Sequence, residues 1–181
     1  MSSIQDTYKV LVAGDVDSGF RLCRQLIDHE ITNPKDYAVE SLGWTDDEWV
    51  KFVSISSEGS ITTIELDLEL HGPWIWELYS VMEPRDYFRR FAAAIITADP
   101  KKPDAMIHIP TLIASVDTHI GHRIPMIVLL DTSQEYSRAR INSVRDMAMQ
   151  LEIPFIKTDV QSGADLDVVL KDLALRICQS Q

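Results

Sequence analysis

Apolar and polar positions along this chain follow two rhythms, one of strands and one of helices. Tyr8 to Ala13 (Y-K-V-L-V-A) predicts a buried strand, and Phe20, Leu22, Cys23, Leu26 and Ile27 then recur at helical spacing. The order is strand, glycine loop, helix. The stretch from Ile31 to Asp47 is polar, with Asn33-Pro34 and Gly43 as breakers, which predicts a long surface loop. Trp49 to Ser56 and Ser60 to Leu70 are β-rich runs joined by Ser57-Glu58-Gly59, so they predict an antiparallel hairpin.

Downstream, Pro84 to Phe91 predicts a short helix opening at its proline, and Ala92 to Ala98 a central strand that stops at Asp99-Pro100. Asp104 to Gly121 has a helical pattern that Pro110 should break or kink. Pro125 to Leu130 predicts the next strand, and Ile141, Val144, Ala148 and Leu151 one face of a helix. Pro154 to Thr158 predicts a last strand, and Leu166, Val169, Leu170, Leu173 and Ile177 line a closing helix. Strands alternating with amphipathic helices predict an α/β fold: a three-layer sandwich around a six-stranded, mostly parallel sheet, with one antiparallel edge strand supplied by the hairpin.

Composition narrows this further. A chain of 181 residues with 45% apolar content fits one domain with a sizeable core, and only residues 1–7 and 179–181 are expected as flexible ends. Seventeen Lys and Arg against 28 Asp and Glu give a net charge of -11, which repels nucleic acid and anionic lipid. No basic stretch leads into an apolar segment near Met1, and no apolar run approaches the ~20 residues of a membrane span. A soluble, cytoplasmic protein is expected. Cys23 and Cys178 fall on or beside helical apolar stripes and are expected as buried free thiols.

The most informative segment is G-D-V-D-S-G-F-R, from Gly14 to Arg21. It has the glycine spacing of the phosphate loop G-x-x-x-x-G-K-[ST], in which backbone N–H groups turn toward a phosphate, the lysine adds charge and the hydroxyl holds Mg²⁺. Phe20 and Arg21 stand where the lysine and hydroxyl belong, and Asp15, Asp17 and Ser18 fill the loop with acid and a hydroxyl. Taken alone, a glycine pair between strand and helix is also what any tight β–α turn uses.

From about Lys9 to Ile177 the chain resembles a Ras-like small GTPase domain. The likeness lies in its element order, its single hairpin and phrases such as P-R-D-Y-F-R-R-F-A-A-A-I-I-T-A-D-P and I-P-M-I-V-L-L-D. The resemblance implies that the Mg²⁺-anchoring motif D-x-x-G falls on Glu69-Leu70-His71-Gly72, and that the residue after it, often a water-orienting glutamine, is Pro73. It implies that the guanine-reading N-K-x-D falls on Asp131-Thr132-Ser133-Gln134, and the base-supporting S-A-K on Asp159-Val160-Gln161. Thr45 would lie near the switch threonine. Hydrolysis by the usual route looks closed.

Charge-assisted hydrogen bonds are worth roughly 1.5–3 kcal/mol each, so losing the lysine, the Mg²⁺ hydroxyl and the base-reading aspartate would remove roughly 5–8 kcal/mol if additive. The resemblance thus implies a pseudo-GTPase: a noncatalytic interaction or regulatory module with a vestigial nucleotide site and no cofactor. The alternative is a divergent GTPase that still binds GDP or GTP with Mg²⁺.

Trp44 and Trp49 flank the would-be first switch, and Trp74, Trp76 and Tyr79 crowd the second. Either these rings are core, or they form a fixed aromatic surface for a protein partner. By analogy with the family, that partner is a roadblock-type regulator or a second copy of the chain. His119 and His122 are read as solvated, because no nearby cysteine or carboxylate completes a metal set. A receiver-like domain, faintly suggested by the acids after the first strand and Lys157 in the last, is disfavoured by the hairpin and the additional strand.

Overall fold

The computed structural model describes residues 4–26, 49–57, 60–71, 88–101, 103–132, 138–160, 162–163 and 165–180. In chain order these form β1 (Ile4–Gly14), α1 (Val16–Leu26), β2 (Trp49–Ser57), β3 (Ser60–His71), β4 (Phe91–Ala98), α2 (Pro103–Ile120), β5 (Met126–Asp131), α3 (Arg138–Gln150), β6 (Phe155–Thr158) and α4 (Leu166–Gln179). The six strands make one sheet in the order β2-β3-β1-β4-β5-β6. Only β2 runs antiparallel, at one edge, paired along its length with β3 from Trp49↔Leu68 to Ser57↔Ser60. All other neighbours are parallel. The α/β class, the six strands and the antiparallel edge are as the sequence predicts.

Continuous apolar runs become central strands because both faces of the sheet are covered. Val10, Leu11, Val12 and Ala13 of β1 are all fully buried. Side chains alternate between faces along a strand, so Val10 and Val12 join Leu22, Cys23 and Leu26 of α1 and the Leu166, Val169, Leu170, Leu173 and Ile177 stripe of α4. Leu11 and Ala13 join Ile109, Ile113, Val116 and Ile120 of α2 and Ile141, Val144 and Ala148 of α3 on the other side. At the sheet's edge, Lys51 of β2 reaches across to Asp167 of α4 (3.5 Å).

Five local expectations need correction. Helix α2 runs through Pro110 as one element, with the proline on its exposed side. Its missing N–H and ring clash are tolerated because the apolar stripe on either side is fully engaged with the sheet. Strand β1 begins at Ile4, not Tyr8, pairing Ile4↔Thr63 and Thr7↔Glu65 across an irregularity. The added residues, Ile4-Gln5-Asp6-Thr7, hold a single apolar position, too few to write a strand pattern. Leu151 lies just past the end of α3 and is 40% exposed. There the chain closes in a Schellman arrangement, with Glu152 at φ 56°, Ile153 N–H donating to Ala148 O and Glu152 N–H to Met149 O. Cys178 is exposed, whereas Cys23 is buried as expected. Of the helix predicted over 84–91, residues 84–87 lie outside the described residues, while 89–90 form a turn and Phe91 already opens β4, so its last three residues are not helical.

Candidate functional site

The carboxyl ends of β1, β4 and β5 converge on the turn between β1 and α1, and here the structure departs from the predicted glycine loop. β1 ends at Gly14, a single residue follows, and α1 starts at Val16. Asp15 is the cap of the helix: its Oδ1 accepts the Ser18 N–H at 2.8 Å, and its carbonyl accepts the Gly19 N–H at 2.9 Å. Asp15 and its neighbours to Ser18, the would-be loop, are therefore the cap and first turn of a helix. Aspartate is among the strongest N-cap residues, and Asp17 in the first turn suits the positive end of the helix dipole. Glycine spacing alone hid that signal.

Thr97 of β4 locks the turn. Its carbonyl accepts the Asp15 N–H (3.0 Å), and its hydroxyl donates to the carbonyls of Asp15 (2.9 Å) and Ala13 (3.2 Å). Gly14, at φ 114°, is what lets β4 come so near, since a Cβ there would meet the Thr97 carbonyl oxygen at 2.2 Å. Gly19 faces the sheet from inside the helix, where a Cβ would come within 2.5 Å of Leu70 Cδ1. Both glycines thus serve chain packing.

Arg21, one turn further on, bends toward β5. Its Nε and Nη2 donate to Asp131 Oδ2 at 3.0 and 2.7 Å, and Nη2 also reaches Ser18 Oγ at 3.2 Å. The Asp131 side chain is 2% exposed and that of Arg21 32%, so the guanidinium neutralises a buried carboxylate from its solvent side. Phe20 points the other way and meets Trp49 edge to face at 6.1 Å. Trp49 is 4% exposed, so this expected partner-surface residue is core, placed there because β2 turns that face toward α1 and α4.

Glu69 does not join this group. It pairs in register with Leu11, three residues short of Gly14, and its carboxylate is taken by Arg90 and by His71 Nε2 (3.0 Å), with Lys9 Nζ at 3.9 Å. Lys9 in turn pairs with Asp67. His71 is 2% exposed, edge-on to Phe91 at 5.8 Å. The would-be Mg²⁺ motif has become a charged network on the opposite face of β3 from Leu70. Gly72, Pro73, Gln134, Gln161, Thr45, Trp44, Trp74, Trp76 and Tyr79 lie outside the described residues.

Thr97, Asp99 and Thr158 also belong to this end of the sheet and are buried, and the sequence reading passed over them. Their signal was a polar residue at the end of an apolar strand run. Asp99 Oδ1 accepts the Lys101 N–H (2.8 Å), and the Thr158 carbonyl accepts the Thr132 N–H (2.8 Å). In the S-A-K position, Val160 is fully buried, and Asp159 Oδ1 accepts the Ser162 N–H at 3.2 Å. His119 is half-buried: its Nδ1–H donates to the Ser115 carbonyl (2.7 Å), and its ring packs on Phe88. Among the described residues no group of three His, Cys, Asp or Glu is arranged to hold a metal ion. None of their helices is long and apolar enough to cross a membrane.

No protein-family model matches the sequence, and no curated protein matches it.

Proposed function

We propose that this chain is a noncatalytic, Ras-like pseudo-GTPase domain that works in the cytoplasm as a protein-interaction or regulatory module, with little or no GTP binding and no GTP hydrolysis. The strand order, the lone antiparallel edge and the helices on both faces support a Ras-like three-layer sandwich. The observation that carries the functional half is the Asp15 carboxylate seated on the amide of Ser18. A phosphate loop works by turning empty backbone N–H groups toward an anion, and here the protein's own anion sits at that helix terminus. Arg21, the cation of this turn among the described residues, is engaged by Asp131. These residues do not fit a nucleoside triphosphate with its Mg²⁺. The partner implied is another protein, a roadblock-type regulator or a second copy of the chain.

Titration calorimetry with GDP and with GTP, each with Mg²⁺, tests this, with thermal denaturation as the second readout. No binding heat and no rise in melting temperature are expected at submillimolar nucleotide. A ligand present at a hundred times its Kd adds about 2.7 kcal/mol of stability, so a clear upward shift would establish a divergent nucleotide-binding GTPase instead. Sedimentation velocity over a concentration series reads out self-association.

A further inference from the structure

We infer that β2 is a self-pairing edge: two copies of this chain join through it, antiparallel about a two-fold axis, so that their two six-stranded sheets run on as one. Among the described residues the sheet ends at β2 on one side and at β6 on the other. The two edges are built differently. β6 has four residues, Phe155–Thr158, and carries the exposed Lys157, and shortness and an exposed lysine are common ways to blunt an edge. β2 has nine residues, Trp49–Ser57, with no proline and no glycine, and it pairs with β3 residue for residue without a bulge.

The one charge on β2, Lys51, does not guard the edge. It lies opposite Leu66, on the face that Trp49, Val53 and Ile55 bury against α1 and α4, and it is 14% exposed beside Asp167 of α4. On the other face Val50 and Phe52 are half-buried, and the exposed Ser54 hydroxyl is hydrogen-bonded to that of Thr63 at 3.1 Å. With its inner side committed to β3, the strand offers the N–H and C=O groups of its outer side to a further strand.

The distribution of acid selects a second copy as the occupant. At a net charge of -11 the chain repels itself over most of its surface, and every strand and helix except β2, β4 and β6 carries an aspartate or a glutamate. β4 lies inside the sheet, so β2 is the long edge free of acid. With two such strands fully overlapped, Val53 lies opposite itself, Phe52 opposite Ser54 of the other copy and Lys51 opposite its Ile55, and no like charges meet. The contact closes after two copies, because both open edges are consumed in one step.

The test is sedimentation velocity of the full chain at roughly 1 to 200 µM, with hydrogen exchange measured at both ends of that range. A monomer–dimer equilibrium in the micromolar range is expected, with slower exchange in residues 49–57 and unchanged exchange in 155–158 at the high concentration. Added salt should tighten the dimer, since it screens the repulsion between the two acidic chains and the pairing itself needs no ion pair. Ser54→Lys sets an ammonium beside Phe52 of the other copy and diagonal to its own counterpart, and should weaken the dimer at least about tenfold. Thr118→Lys makes the same charge change on the exposed side of α2 and should not weaken it. A chain that stays monomeric across the range would overturn the inference. So would a dimer that salt weakens, one that both variants weaken equally, or one that leaves exchange in 49–57 as it was. Self-pairing rests on the reading above only in taking the partner to be a protein: a monomeric chain that binds no nucleotide would sink the pairing and leave the pseudo-GTPase reading standing.

Discussion

Arg21 and Asp131 meet through a single carboxylate oxygen, with Nε at 3.0 Å and Nη2 at 2.7 Å from Oδ2, so one guanidinium from the first helix fastens the end of the fifth strand. Removing Arg21 takes a counter-charge away from a carboxylate that is 2% exposed. Because the arginine itself is a third exposed, solvent returns part of that loss. Arg21→Ala is expected to cost about 2 kcal/mol in urea denaturation. Combined with Asp131→Asn in a double-mutant cycle, it should give a coupling energy above about 1 kcal/mol.

Gly14 and Gly19 separate a nucleotide cradle from a packed turn. Gly14→Ala places a Cβ against backbone at 2.2 Å and at a φ of 114°, and should destabilise by about 3 kcal/mol. Gly19→Ala meets only the end of the Leu70 side chain, and alanine gains about 1 kcal/mol of helix propensity over glycine. It should fall within about 1 kcal/mol of the parent. Equal losses at the two positions, measured by chemical denaturation, would contradict a helix that begins at Val16.

Pro110 sits inside α2 on its exposed side, where its side chain fills no core space. Pro110→Ala restores a backbone N–H and removes the clash with the preceding turn. An increase in stability of about 1–3 kcal/mol is expected, read as a higher denaturant midpoint with an unchanged slope.

The two thiols should behave differently. Burial pushes the Cys23 thiol far above its ordinary value of 9.0, so the folded state keeps its proton where the unfolded chain loses it. Stability tied to Cys23 is therefore fully present below pH 9 and falls as pH rises beyond it. Relative to Cys23→Ala, the parent should lose about 1.4 kcal/mol per pH unit above about pH 9.5. A thiol reagent should modify Cys178 in the native protein and Cys23 only on unfolding. Partial burial, and then the negative charge of Asp6, raise the Cys178 thiol and should slow its reaction relative to a free thiol.

Most of the sheet was legible because burial on both faces writes itself as unbroken apolar runs, as in Val10 to Ala13 and Ile127 to Leu130. The hairpin was legible through its alternation and turn residues. Boundaries were harder where the deciding force left no apolar run: the mostly polar first residues of β1, Ile4 to Thr7, the cap at Asp15 and the left-handed Glu152 that closes α3. At the candidate site, the glycine spacing singled out Gly14 and Arg21 and the resemblance singled out Asp131; the structure brings Arg21 and Asp131 together, which neither foresaw. Whether Arg21 serves a ligand or a carboxylate depends on which residue 110 positions away lies across from it. Thr97, the residue that fixes the turn, belongs to no local pattern around Gly14 at all.

Strand β1 lies inside the sheet, and its two neighbours come from residues 60–71 and 91–98. The hydroxyl that latches its exit turn lies 82 and 84 positions downstream of the carbonyls it holds. The turn between β1 and α1 therefore cannot be latched before Thr97 of β4 has been made. Long-range closure of this kind slows folding and leaves apolar edges open meanwhile. A fragment ending before Phe91 lacks β4 and the latch, and should remain aggregation-prone.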